Sequence, residues 1–235
     1  MTIVIGASSG IGAAIARRFA ASGSHVVLAA RREEKLAETK CKIEESGDSA
    51  SWKKVDVTNY EQVAELVDST AREHGQIDIL INCAGHAVAK PLLQTTVEEL
   101  DAQLDSNLRG LCYSCHATVP HMIRQGSGHI INIGSICSMN HYPEYATYVA
   151  AKFGVLGFSR SLYEEVRHHG IRVNVLCPAA VNTAWADVAG AKLPWPQDER
   201  LQPEDLAETA LFCVSLPKRV QVENIVLWPT CEPTV

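Results

Sequence analysis

The segment Tyr148-Val149-Ala150-Ala151-Lys152 sets a phenol and an ammonium four positions apart, with only small residues between them. On a helix this step is a little over one turn, so the two side chains share a face. An unperturbed phenol titrates near ~10 and is a poor base at neutral pH. A fixed cation beside it stabilises phenolate and draws the pKa toward the working range, which would make the pair a proton relay. The competing reading is packing with a snorkelling charge, and the pair alone does not choose between them.

A second stretch, GASSGIG at residues 6–12, places Gly6, Gly10 and Gly12 in the spacing G-x-x-x-G-x-G, with Ser8, Ser9 and Ile11 between them. Glycine permits a tight turn and close backbone approach. Amides at the start of a following helix then meet a diphosphate, favoured by the helix dipole. A plain strand-to-helix turn needs only one glycine, so nucleotide binding is the better account. The next apolar run ends in Ala29-Ala30-Arg31-Arg32. Ala30 stands where an NAD-selective protein places a carboxylate for the ribose hydroxyl, and the two guanidiniums suit a phosphate. This favours NADP over NAD. The alternative is that both arginines are the solvated start of a helix, pairing with Glu33 and Glu34.

These residues need elements to hold them. Strand-like runs fall at 2–5, 25–30, 51–57, 77–82, 129–134, 171–178 and 224–228. Helical patterns alternate with them at 10–22, 33–46, 60–74, 96–125 (one helix or two), 146–169 and 203–215. The runs 77–82, 129–134 and 171–178 are nearly continuous in apolar residues, as strands covered on both faces require. The alternation predicts an α/β fold: a single doubly wound parallel sheet of Rossmann type, about seven strands with helices on both faces. No linker or repeat divides the chain, so 1–235 is expected to be one dinucleotide-binding oxidoreductase domain. The irregular segment at about 179–202 is expected to be a substrate lid.

With 235 residues the chain can bury a sizeable core. A formal charge of −6 argues against a nucleic-acid groove. No apolar run approaches the ~18 residues of a membrane span, and no signal peptide is read before the first strand. A cytoplasmic setting and reduced, mostly buried thiols are therefore expected of the eight cysteines. Cys112 and Cys115 form one Cys-x-x-Cys, but it lies in an apolar helical run without a second pair at zinc spacing, so no metal is expected.

Together, GASSGIG, Asp56-Val57, Asn82-Cys83-Ala84-Gly85, Asn107 in SNLRG, Ser135 in NIGSI and YVAAK resemble the short-chain dehydrogenase/reductase family from residue 2 to about 183, and more loosely to the end. Ser135 stands thirteen residues before Tyr148, as that pattern has it. The tail NIVLWPT resembles, over a short stretch, the NADP-dependent branch holding 3-hydroxy acid and serine dehydrogenases and carbonyl reductases. The resemblance implies that Tyr148 is the acid in carbonyl reduction and the base in alcohol oxidation. It implies that Ser135 orients the substrate oxygen, and that Lys152 holds the nicotinamide ribose and lowers the phenol pKa. Asn107 would bind a water linking Lys152 to solvent. Asp56 and Val57 would contact adenine, Asn82, Ala84 and Gly85 would line the cofactor with Pro178 and Val181, and Thr183 would reach the carboxamide. It also implies a homodimer or homotetramer through the helices carrying Asn107 and Tyr148. Three positions depart from the pattern: Ile5 for Thr, Cys83 for the second Asn, and Ala179 for Gly. The first two are expected to affect packing of the central strands, and the third to shift the loop near the nicotinamide.

Ile136, Cys137, His141, Tyr145, Ala180, Trp185 and His86 are expected to wall a substrate pocket, with Leu193 and Trp195 on the lid. The lid is read as holding Lys192 and no arginine, so a carboxylate anchor is not evident, and the wall is mainly apolar or aromatic. The expected reaction is therefore hydride transfer between NADP(H) and a small ketone, aldehyde or secondary alcohol. The alternatives are an NADP-dependent 3-hydroxy acid dehydrogenase and, from another class, a catalytically silent nucleotide-sensing module.

Overall fold

The structure, a computed structural model, describes residues 1–233. Thr234 and Val235, the end of the expected domain, lie outside the described residues. Seven strands form one sheet: β1 (Thr2–Ile5), β2 (Val26–Ala30), β3 (Ala50–Lys54), β4 (Ile79–Asn82), β5 (Gly128–Ile133), β6 (Ile171–Pro178) and β7 (Asn224–Leu227). Their order is β3-β2-β1-β4-β5-β6-β7, and every pair is parallel. Successive strands step to one side of β1 as far as β3. From β4 onward they step to the other side. That reversal opens a crevice outside the carboxyl ends of β1 and β4, where ligands of such sheets bind.

Eight α-helices accompany the described strands: α1 (Gly10–Ala20), α2 (Glu33–Glu45), α3 (Tyr60–His74), α4 (Val97–Leu104), α5 (Gly110–Gln125), α6 (Ala146–Val166), α7 (Trp185–Ala189) and α8 (Pro203–Ser215). Ile15, Phe19, Leu36, Ile43 and Ala210 of α1, α2 and α8 pack with Val4, Leu28 and Ile131 in one core layer. Val63, Leu66, Leu111, Met122, Val155 and Leu162 of α3, α5 and α6 pack with Ile3, Val27 and Ile130 in the other. Covering both faces is what makes the central strands apolar throughout.

Three segments refine the sequence reading where it bears on the site. β3 ends at Lys54 rather than 57, because the Asp56 carboxylate accepts Thr58 N and Thr58 Oγ1 at 3.0 and 2.8 Å and turns the chain out of the ladder. The 96–125 run is two helices, joined by a π-helical turn at Asp105–Arg109 that carries Asn107. Such turns displace one residue from the regular helical register. The segment 179–202 is not wholly irregular: it folds the short helix α7, and its neck is closed by pairing of Val181 with Leu201.

A buried polar chain ties the layers together beneath the crevice. Ser114 Oγ donates to Asn82 Oδ1 at 2.6 Å, Asn82 Nδ2 to Asn132 Oδ1 at 2.8 Å, and Asn132 Nδ2 to Ser159 Oγ at 2.8 Å. It links α5, β4, β5 and α6, so the helix bearing Tyr148 is registered against the strand that ends at the glycine turn's neighbour. Asn82→Leu strands the Oδ1 of Asn132 and removes one of the two acceptors of Ser114 Oγ, which keeps Leu111 O at 2.9 Å. We expect a loss of about 1–3 kcal/mol of folding stability, measured by urea denaturation, the cost of one stranded buried polar group.

Candidate active site

The glycine turn is defined by space as much as by flexibility. Gly6 has φ +91°, and a Cβ there would stand 2.6 Å from Ala84 N. A Cβ on Gly12 would stand 2.3 Å from Gly6 O. Ser9, the residue before α1, makes no side-chain cap to that helix, because its hydroxyl and that of Ser8 accept the Arg32 guanidinium at 2.7 and 2.8 Å. The opening amides of α1 are thus left for an anion, and a cation already lies over the turn. These are the parts that a dinucleotide carrying an extra ribose phosphate needs, so the residues fit NADP. Thr183 approaches from the far side of the groove, its Cγ2 3.1 Å from where a Gly10 Cβ would stand.

The arginines divide their work. Arg32, at the start of α2, folds onto the serines. Arg31 acts on Asp56 and His86. Burial opposes the Asp56 carboxylate, but the Thr58 bonds and the Arg31 charge bring its pKa below the ordinary range. Val57 is buried against Gly110 rather than open, where a Cβ would meet its methyls at 2.8 Å. His86 shares a hydrogen bond with Ser106 Oγ at 2.9 Å, and burial lowers its pKa, with Arg31 adding to the effect.

At the other end of the crevice, α6 presents both members of the YVAAK pair. Tyr148 and Lys152 are only 6% and 5% exposed, and Lys152 Nζ stands 5.5 Å from the centre of the phenol ring. The ammonium donates to Ile133 O at 2.8 Å, the last carbonyl of β5, which pins it under the strand end. Ser135 follows that strand. Its Oγ accepts Cys137 N at 3.1 Å, which fixes the rotamer and leaves its O–H for the phenol. Burial pushes the Tyr148 phenol well above its ordinary range. The Cys137 thiol adds to this, and the Ser135 hydrogen bond works against it. For the protein alone the net direction is upward, because desolvation outweighs the Ser135 hydrogen bond. The same burial brings Lys152 down to about 8, against the thiols of Cys83, Cys177 and Cys137, which act to raise it. Cys83, read from the sequence as a packing substitution, is thus also a neighbour of the Lys152 charge; burial raises its thiol to about 12.

Asn107 Nδ2 donates to His86 O and Gln103 O at 2.6 and 2.8 Å, while its Oδ1 is buried without a protein partner. A Cβ at Gly85 would lie 2.3 Å from that oxygen, so only glycine leaves it room.

Three loops close over Tyr148. Ala89 N donates to Ala189 O at 2.8 Å and Lys90 N to Glu144 O at 3.0 Å, joining the loops after β4, β5 and β6. Cys137, Tyr145 and Trp185 pack with Tyr148, and Trp185 stands 5.5 Å from it, ring to ring. Ile136 and Ala180 are buried, and His141 is exposed on the same rim. Pro178 ends β6 beneath, and Val181 holds the neck. The lid also contains Arg200, contrary to the sequence reading. Its guanidinium is spent on Trp195 O at 2.7 and 2.9 Å and on Leu193 O at 3.4 Å. Two residues near the pocket were also missed: Tyr142, whose hydroxyl is buried without a partner, and Glu232, whose Oε2 accepts Ala180 N at 3.1 Å. Neither lies in a motif, and Glu232 is remote in sequence, so only folding brings it near.

A family model described as short chain dehydrogenase matches residues 1–193. An uncharacterized oxidoreductase of Staphylococcus saprophyticus is 36% identical over 230 residues, 97% of each chain. Among solved structures, an alcohol dehydrogenase of the archaeon Thermococcus sibiricus complexed with 5-hydroxy-NADP matches with TM-score 0.91 at 28% identity, over 100% of this chain and 98% of that one. The closed form of a serine dehydrogenase complexed with NADP+ matches with TM-score 0.92 at 32% identity, over 99% and 96%. A doubly wound oxidoreductase sheet with its crevice at the β1–β4 reversal is the class these matches define. The chain belongs to the short-chain dehydrogenase family and is an oxidoreductase.

Proposed function

We propose that this protein is an NADP(H)-dependent oxidoreductase that interconverts a small ketone or aldehyde with its alcohol, with Tyr148 as acid and base. The observation that carries the reading is the convergence of three buried side chains, Ser135, Tyr148 and Lys152, at the carboxyl end of β5, beside the packed rings of Tyr145 and Trp185. Bound NADPH supplies the hydride. The chain's own part is the proton. The Ser135 hydroxyl orients the carbonyl oxygen, and the protonated phenol of Tyr148 gives that oxygen its hydrogen. The phenolate left behind faces the Lys152 ammonium, and a water held at the open Oδ1 of Asn107 links that ammonium to solvent. With Arg200 committed to backbone carbonyls, the pocket has no evident anchor for a carboxylate, which favours a neutral carbonyl over a 3-hydroxy acid. We further propose a cytoplasmic homodimer or homotetramer, formed through α5 and α6, where Phe153 is 45% exposed.

The test is consumption of NADPH with a panel of small ketones and aldehydes, followed as loss of the reduced-nicotinamide absorbance. Turnover of none of them by the parent would refute the reaction and favour a nucleotide-sensing module. Cofactor choice is tested separately. Arg32→Ala is expected to raise the KM for NADPH by about 10–100-fold and leave that for NADH nearly unchanged, because one charge-assisted contact to a phosphate contributes roughly 1.5–3 kcal/mol. Equal losses for both cofactors would show that Arg32 serves only the turn.

A further inference from the structure

A carboxylate from the far end of the chain, that of Glu232, reaches the loop that follows β6. After β7 the tail makes a turn in which Glu232 N donates to Pro229 O at 3.1 Å. That turn is tied to both ends of the lid segment. Cys231 Sγ donates to Glu199 O at 3.4 Å, and Glu232 Oε2 accepts Ala180 N at 3.1 Å. Ala180 is a buried residue of the pocket wall. The Glu232 charge acts on Cys137 and on Tyr142, which stand on the loop between Ser135 and Tyr148. Among the described residues its second oxygen, Oε1, has no hydrogen-bond partner, and no Lys, Arg or His pairs with it. Nearby, the Tyr142 hydroxyl is buried with no partner. A half-buried carboxylate without a counter-ion is costly to keep, and it becomes favourable when a cation arrives. The rings of Tyr142, Tyr145 and Trp185, which pack in the same cluster, suit a cation on their faces as well. A carboxylate on the substrate would meet repulsion at the same point.

We propose that Glu232 is a specificity-determining residue, which selects carbonyl or alcohol substrates bearing an ammonium group through its free carboxylate oxygen, seated against Ala180 and the Cys137–Tyr142 wall. This rests on the proposed reaction for the location of the reacting oxygen, near Ser135 and Tyr148. It narrows the substrate from a small ketone, aldehyde or alcohol to an amino ketone or amino alcohol, in place of the uncharged carbonyl favoured above. The ammonium binds across the pocket from the proton relay and takes no part in the chemistry.

The test pairs secondary alcohols carrying a terminal ammonium with their alkyl isosteres, at increasing chain length. Amino-propanol with butanol and amino-butanol with pentanol are the first two pairs. Each is titrated calorimetrically into the NADPH-loaded protein. The parent is expected to bind at least one ammonium member roughly tenfold or more tightly than its isostere. Glu232→Gln keeps the acceptor for Ala180 N and the side-chain shape, so folding is preserved, and it should bring that ratio close to one. A parent that prefers no ammonium member, or a Gln variant that keeps the parent's ratio, overturns the proposal. Turnover of the same pairs with NADP+ judges the reaction independently. A binding preference that depends on Glu232 without turnover sinks the reaction and leaves the recognition standing.

Discussion

A Tyr148→Phe variant is expected to lose about 10²–10⁴-fold in kcat with the best carbonyl substrate, the usual contribution of a positioned acid. NADPH affinity should change by no more than roughly twofold, because only an interaction made during proton transfer is removed. The substitution suits the question because the ring is retained. Tyr148 is packed against Trp185 and, edge-on, against Tyr145 at 6.3 Å, and phenylalanine fills the same space. The hydroxyl has no other acid to replace it. Tyr145, the neighbouring tyrosine, carries a phenol whose pKa burial also raises, with the charges of Cys137 and Glu144 adding to that. Ser135 orients an oxygen but is too weak an acid to supply a proton. The upward shift of the Tyr148 phenol keeps it protonated throughout the neutral range, which suits donation in the reductive direction. A variant that reduces the best substrate as fast as the parent would exclude Tyr148 as the acid. Loss of NADPH binding in parallel with kcat would show that the hydroxyl serves the cofactor instead.

Lys152→Met should separate the stability of the site from its activity. In the fold the ammonium titrates at about 8, against 10.5 for an ordinary lysine, because burial disfavours its charge. Between those two values the unfolded chain holds a proton that the folded chain has released. Folding stability contributed through Lys152 therefore rises with pH across this window, and below about 8 the full penalty of a buried charge is present. Methionine has the same reach and carries no charge. Relative to the parent, the variant should lose about 3 kcal/mol of its advantage as pH is raised from about 8 to about 10.5, a shift of that size being worth ~1.4 kcal/mol per unit. Denaturant titrations of the two proteins at matched pH give the difference directly. A difference independent of pH would mean that the ammonium is not desolvated as the geometry indicates. Activity should move the other way. With no cation beside the phenolate and Ile133 O left without its donor, kcat should fall by at least about 10²-fold. In the parent, the reductive rate should decline as pH rises through about 8, where the ammonium loses its charge.

The sequence by itself determined the architecture and the list of chemical groups. Apolar runs at 79–82, 128–133 and 171–178 are covered on both faces, and that coverage leaves a direct trace in composition. The three glycines of residues 6–12 and the four-residue step from Tyr148 to Lys152 are local patterns, set by backbone sterics and helical pitch, so they were legible before any contact was known. Boundaries decided by a single side-chain bond were not. The Asx turn at Asp56 shortened β3, and the π-helical turn placed Asn107.

The tertiary structure alone decided which group does what. It folded Arg32 rather than Arg31 onto Ser8 and Ser9, spent Arg200 on its own loop, turned His86 to Ser106 and brought Glu232 to Ala180 from fifty-two positions away. It also set the upward direction of the Tyr148 pKa, because desolvation depends on every atom around a group, whereas spacing along a helix reports only its nearest neighbour. Local geometry is written in the order of residues; burial and long-range partnership exist only once the chain has closed on itself.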